Sequence, residues 1–191
     1  PYRLKILKDT VKANDADLAV VLGLLGPFTM MTWYFMDFPD FSMALFTDPE
    51  LVHMMVDVFV NWNLEVAKLA MDLGGVDAFQ ISDDWGGSTG LLISPEHFGE
   101  FFIKPFEKLV QGLKGLGAPV IMHNDGQIWD VLDDLVATGI QGFHPVEKAA
   151  GMDLKIVKER YQGKLCPVGN VNNKTTMVTG TPEEVIAEVK E

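Results

Sequence analysis

Apolar residues run nearly unbroken through five short stretches of this 191-residue chain: AVVLGLLGPFT (19–29), VDAFQISDDWGG (76–87), APVIMHNDG (118–126), GIQGFHPVE (139–147) and LCPVGNV (165–171). Each run ends in Gly or Pro beside polar residues. Strands buried on both faces carry such runs, and parallel strands need crossover helices between them. Between the runs the apolar spacing changes to three and four, the period of an amphipathic helix. The pattern predicts the end of a helix over 2–14, then one opened by Thr47-Asp48-Pro49-Glu50 and running to about Leu73. Ser94-Pro95-Glu96 opens the next, which runs to about Leu116 and is kinked or split at Pro105. Others cover about Gln127 to Ala137 and Asp153 to Tyr161, and a last one starts at Thr181-Pro182-Glu183-Glu184. An acidic or hydroxyl cap, Pro in the first turn and Glu behind it mark these starts. Gly74-Gly75, Gly117, Gly139 and Gly163 mark the stops. In the long helix after Pro49, the spacing assigns Leu51, Met54, Met55, Val58, Phe59, Trp62, Val66 and Leu69 to the core face.

The alternation of helix and strand predicts an α/β fold with a parallel sheet, its strands near 20–25, 77–81, 119–123, 140–143 and 165–169. A closed (β/α)8 TIM barrel needs eight strands. Five fit either an open doubly wound sheet or a partial barrel. The chain lacks an initiator Met and ends inside the helical pattern EEVIAEVKE, which favours a single domain forming the central to C-terminal part of a barrel. Such a sheet leaves edges and one face bare. A partner chain, with a homodimer as one form, or further residues are expected to cover them. A barrel carries its chemistry at the C-terminal ends of its strands. Here those ends hold Thr29, Asp83, Asp84, His123, Asp125, His144, Glu147 and Asn170, and that concentration predicts an enzyme acting on a small molecule.

Composition narrows the partners. An apolar content of 48% with 22% charged residues is ordinary for a globular domain. The net charge of −12 argues against nucleic acid and anionic membranes, both of which demand Lys/Arg patches. Arg3 and Arg160 are the only arginines, so a polyanionic substrate is also a poor match. No apolar run has transmembrane length and no signal peptide is visible. The single cysteine, Cys166, excludes an internal disulfide framework and fits a reducing, cytoplasmic setting; its place in an apolar run predicts a buried, inert thiol.

Four constellations could carry chemistry. His123 and Asp125 end a strand two residues apart, so both side chains can face one site. Imidazole plus carboxylate suits zinc or another divalent metal, with Glu147 from the next strand as third ligand. The plainer alternative is a hydrogen-bonded His123 with Asp125 capping the following helix. Ser82-Asp83-Asp84-Trp85-Gly86-Gly87 places adjacent carboxylates at a strand end, where one can hold a raised pKa and move a proton. Alternatively one binds turn amides and the other is solvated. Trp33, Tyr34, Phe35, Met36 and Phe38 can wall a pocket for a flat or apolar substrate, or simply pack. Ser82, Trp85, His144 and Asn170 complete the expected substrate-binding set with Trp33 and Tyr34, while Asp83, Asp84 and His123 form the expected catalytic set.

Read together, GPFTMMTW, ISDDWGGSTGLLISPEHFGEFFIKPFEKLV, PVIMHNDG, GIQGFHPVEKAAGMDLKIVKERY, GKLCPVGNVN and GTPEEVIAEVK resemble the uroporphyrinogen decarboxylase superfamily, in the same order and over nearly the whole chain. The resemblance implies a TIM barrel. It also implies one of two activities: decarboxylation of a porphyrinogen without any cofactor, in porphyrin and haem biosynthesis, or methyl transfer linked to cobalamin or a corrinoid protein. Two departures from the families' patterns bear on the choice. The decarboxylases' Tyr in the first motif is Trp33 here. The methyltransferases' zinc-binding His-x-Cys-Gly is His123-Asn124-Asp125-Gly126, with Asp125 where they have Cys. Methyl transfer with a divalent metal and a corrinoid partner is the favoured expectation, decarboxylation the alternative, and a non-catalytic module docking a corrinoid protein the reading from another class.

Overall fold

The computed structural model describes residues 2–14 and 18–190. Seven strands are present among them: β1 (Val21–Leu25), β2 (Ala78–Ser82), the two-residue pair β3 (Gly86–Gly87) and β4 (Gly90–Leu91), then β5 (Val120–His123), β6 (Gly142–His144) and β7 (Cys166–Pro167). β3 and β4 form a small antiparallel hairpin. The other five make one parallel sheet in the order β1-β2-β5-β6-β7. Each strand is laid down beside its predecessor and the order never reverses. A doubly wound sheet reverses at a switch point; a barrel does not. The fold is therefore the α/β, barrel-type arrangement expected, with all five strands in the predicted places.

Register sorts the sheet into rows. Leu24, Ile81, Met122 and Phe143 stand opposite one another, and all four are buried. The next row, Leu25, Ser82, His123 and His144, points to the other face and is only partly covered. Alternation along a strand thus puts apolar residues under the helices and the two histidines on the open face.

The helices are α1 (Tyr2–Ala13), α2 (Pro27–Met30) continued by a π-helical turn (Met31–Phe35), α3 (Phe38–Thr47) and α4 (Pro49–Leu73). Next come α5 (Pro95–His97), a π-helical segment (Phe98–Ile103) and α6 (Lys104–Gly115). The remaining four are α7 (Leu132–Ala137), α8 (Leu154–Arg160), α9 (Thr176–Thr179) and α10 (Pro182–Lys190). Asp48 caps α4 by accepting from Leu51 N–H at 3.1 Å, and Asp153 caps α8 from Ile156 N–H at 3.0 Å. The helix expected to be kinked or split at Pro105 is irregular there but continuous: Ile103 and Lys104 stay helical, and the π segment gives way to α6 just before the proline, whose missing N–H the wider π turn accommodates.

Three expectations are corrected. The core face of α4 is Val52, Val56, Phe59, Val60, Asn63, Ala67 and Ala70. Met54, Val58, Trp62 and Leu69 form a second apolar stripe, each at least half exposed. Both stripes have helical spacing, so periodicity by itself could not choose between them. The helix expected from Gln127 begins only at Leu132, because the backbone at Gln127 is bonded to another loop. Cys166 is exposed rather than buried, since β7 is short and lies at the sheet edge. The core is dense in aromatics. Phe28 meets Phe41 edge-on at 5.5 Å between centroids, and Trp85 stacks on Phe98 at 4.9 Å. Among the described residues no helix is long and apolar enough to cross a membrane.

Candidate active site

The site begins with two loops at the C-terminal ends of β2 and β5. They are joined through backbone and side chain. The Asn124 side-chain oxygen accepts from Trp85 N–H at 2.6 Å and Gly86 N–H at 3.3 Å. Gln127 N–H donates to the Gly87 carbonyl at 2.8 Å, and Asp125 N–H donates to Asp84 Oδ1 at 2.9 Å. Contact between the loops is so close that a Cβ on Gly126, whose φ is +90°, would lie 2.5 Å from the Gly86 carbonyl carbon. Only glycine fits there. Asn124 is fully buried and holds both loops, yet it went unremarked in the sequence. Its position between His123 and Asp125 was the one available signal.

The adjacent aspartates diverge. Asp83 turns inward and is fully buried. Its carboxylate accepts from Thr29 N–H at 2.7 Å, at the start of α2, and from the Trp85 indole N–H at 2.8 Å. A Cβ on Gly26 would sit 2.1 Å from the Asp83 Cγ, which accounts for glycine at the entry to α2. Burial pushes the Asp83 carboxyl up to about 7, against the opposing pull of these N–H groups. Asp83, expected to handle a proton, thus has the raised carboxyl of that expectation but no exposure, and both oxygens accept hydrogen bonds within the fold. Trp85, expected beside substrate, is enclosed as well. Fully buried against Phe98 and Phe106, it lines no open surface.

Asp84 turns outward. Its backbone N–H donates to Thr29 Oγ1 at 3.0 Å, and Oδ1 lies 3.9 Å from His123 Nε2. Asp84, half-buried His123 and exposed Asp125 each offer one ligand atom, all within 4.8 Å of one another. Asp84 is raised above the usual carboxylate range, first by loss of water and then by the charge of Asp125, while Asp125 N–H and His123 pull it down. Two carboxylates and an imidazole so placed attract a cation.

His123 and His144, paired in register, meet edge to edge with centroids 4.9 Å apart and ring planes 29° apart, and their Nδ1 atoms are 2.7 Å apart. Burial, then the neighbouring His123, lowers the His144 pKa below the ordinary histidine value. Glu147, expected as third metal ligand, stands outside the cluster. It accepts from Gly126 N–H at 2.8 Å and forms an ion pair with Lys174, which holds its carboxyl below the usual range. The third group of the cluster, beside His123 and Asp125, is Asp84. Asn170 lines a small cleft with Pro145, Glu147 and Asn172, beside the His144–Glu147 turn. Trp33 and Tyr34 are about two-thirds exposed, at 68% and 64%, on the π-helical turn after β1. Ser82 shares the open-face row with His123.

The donor set fits a divalent ion. Ligand atoms bound at about 2.0–2.2 Å to one ion lie no more than about 4.4 Å apart. Asp84 Oδ1 and His123 Nε2 already satisfy this, and the exposed Asp125 side chain is free to close the remainder.

The chain is similar to known proteins of two named activities. The chain is 28% identical to a uroporphyrinogen decarboxylase of Cellvibrio japonicus, over 99% of this chain and 52% of that protein. It is 24% identical to the methylcobamide:CoM methyltransferase MtbA of Methanosarcina acetivorans, over 95% of this chain and 51% of that protein. A solved methyltransferase from Methanosarcina mazei superposes with a TM-score of 0.84 at 23% identity, covering 98% of this chain and 53% of that one. The chain thus spans about half the length of the relatives it matches. Residues 1–191 match the family model for uroporphyrinogen decarboxylase (URO-D) from end to end, and the chain belongs to that family, whose relatives here include both decarboxylases and methyltransferases.

Proposed function

We propose that Asp84, His123 and Asp125 hold a divalent metal ion, zinc in the first instance, in an enzyme that moves a methyl group to or from a corrinoid carried by a partner protein. The observation that carries this reading is the convergence of those three ligand atoms at the strand ends. When bound, the ion supplies Lewis acidity toward the methyl donor or acceptor. The chain's own residues do the rest. Asp84 is oriented by Asp125 N–H, His123 by His144, and the turn carrying Asp125 by Glu147 through Gly126 N–H. Trp33 and Tyr34 present aromatic surface to the substrate or partner, with Ser82 and Asn170 beside the open face.

Local charge supports methyl transfer over porphyrinogen decarboxylation. Asp84, Asp125 and Glu147 gather here, and Lys174 is already engaged by Glu147. A substrate rich in carboxylates meets repulsion at such a surface. The relatives named uroporphyrinogen decarboxylase, at 28% identity, favour the second reading.

Elemental analysis of protein purified without chelator and then offered zinc tests the metal. Bleaching of methylcobalamin by added methyl acceptors, against CO2 release from uroporphyrinogen, tests the reaction. Stoichiometric metal with methylcobalamin turnover is the expected result. No metal together with CO2 release moves the assignment to cofactor-free decarboxylation. Neither activity, with retained binding of a corrinoid protein, leaves a docking module.

A further inference from the structure

The two strand-end histidines form a unit that the metal set alone does not explain. Their Nδ1 atoms approach to 2.7 Å, a hydrogen-bond distance, so one nitrogen must donate and the other accept. His123 Nε2 is on the far side of its ring, facing Asp84 Oδ1 at 3.9 Å. A neutral imidazole that gives Nε2 to a metal must keep its proton on Nδ1. That proton then has one direction to go, toward His144 Nδ1. We propose that His144 is a positioning residue: it accepts from His123 Nδ1–H, selects the tautomer that bares Nε2 toward Asp84 and Asp125, and holds the ring in the plane that aims it there.

The device follows from strand register. His123 and His144 are register partners on adjacent parallel strands. Strands lie about 4.8 Å apart, which sets two rings of one row side by side. Metal-bound histidines commonly donate their other ring N–H to a carboxylate, carbonyl or water. In this chain a second imidazole fills that place. The nearby carboxylates have other duties: Asp84 and Asp125 belong to the cluster, and Glu147 is held by Gly126 N–H and Lys174. His144 is thereby a positioning residue and not a substrate ligand.

This inference rests on the metal reading, and the experiment separates the two. Zinc affinity is measured by competition with a chromophoric chelator for the wild type, His144→Phe and His144→Asn. Phenylalanine keeps the ring and removes the acceptor. Asparagine returns an acceptor oxygen near the position of Nδ1. Removing such a partner typically weakens metal binding by about 10–100-fold. His144→Phe is expected to lose affinity in that range and His144→Asn to recover most of it. Ring-15N NMR of the zinc-loaded wild type should show His123 protonated at Nδ1 and His144 protonated at Nε2 only. Equal zinc affinity in wild type and His144→Phe, or a proton on His144 Nδ1, overturns the inference and leaves the metal reading standing. A wild type that takes up no zinc overturns both.

Discussion

One loop supplies both the most enclosed and the most open part of the β2 strand end. On the inner side, Asp83 and Trp85 are fully buried, bonded to each other, and tied to the start of α2. On the outer side, Asp84 faces His123 and Asp125 on a surface reached by solvent. Inner groups satisfy one another, so their chemistry is spent on the fold. The outer groups are mostly acceptors crowded around an imidazole, and they gain from a cation. Two aspartates adjacent in sequence therefore do different work, and what separates them is the direction each side chain leaves the strand end.

The largest expected effect lies on the outer side. His123→Ala should abolish stoichiometric zinc and activity together, while the urea midpoint moves by no more than the ordinary point-mutant cost of about 1 kcal/mol. Retained zinc in that variant would break the distinction between the two sides. Next, on the inner side, Trp85→Ala should destabilise by about 3–5 kcal/mol, because a large buried ring is lost from a packed core. Equilibrium urea unfolding measures it, and a change near zero would show that the inner side is not the anchor.

Asp83 offers a third contrast, through pH. Its folded pKa of about 7 exceeds the ordinary aspartate value of 3.8 because burial disfavours the charge. Between those values the folded protein binds the extra proton. Its contribution to stability is thus complete below the unfolded pKa and is lost as pH rises through the folded one, at up to about 1.4 kcal/mol per pH unit. Asp83→Asn should flatten that fall in urea midpoints measured across the interval. A slope identical to wild type would remove Asp83 as its source.

The smallest effect is expected at Glu147. Gln keeps an acceptor for Gly126 N–H and loses only the ion pair with the exposed Lys174. Glu147→Gln should therefore cost less than about 1 kcal/mol in stability, the usual scale for such pairs. Zinc affinity, measured by the same competition, should stay near wild type. A collapse to the His123→Ala level would return Glu147 to the ligand set.

Much of this was legible in the chain as written. The unbroken apolar runs located all five sheet strands, and polar residues at their ends marked the candidate site, because a parallel strand is buried on the helix side and leaves room for chemistry where it stops. His123 does end a strand, β5, with Asp125 two residues on in the loop that follows. The π-helical turn over 31–35, however, contains an aromatic run whose spacing favours no period. The apolar stripes of α4 were equally helical, and the packing of α6, α2 and α3 against the helix chose between them.

What the sequence determined by itself was the list of elements, their parallel succession and the end of the sheet where polar groups collect, all properties of short-range pattern. Tertiary structure decided which of those groups meet. It turned Asp83 inward and Asp84 outward, bonded Asn124 across two loops, and set His144 against His123 through strand register. It also drew Glu147 away from the cluster to Gly126 and Lys174. Those outcomes depend on contacts between residues far apart in the chain, where a shift of one residue reverses the face a side chain occupies.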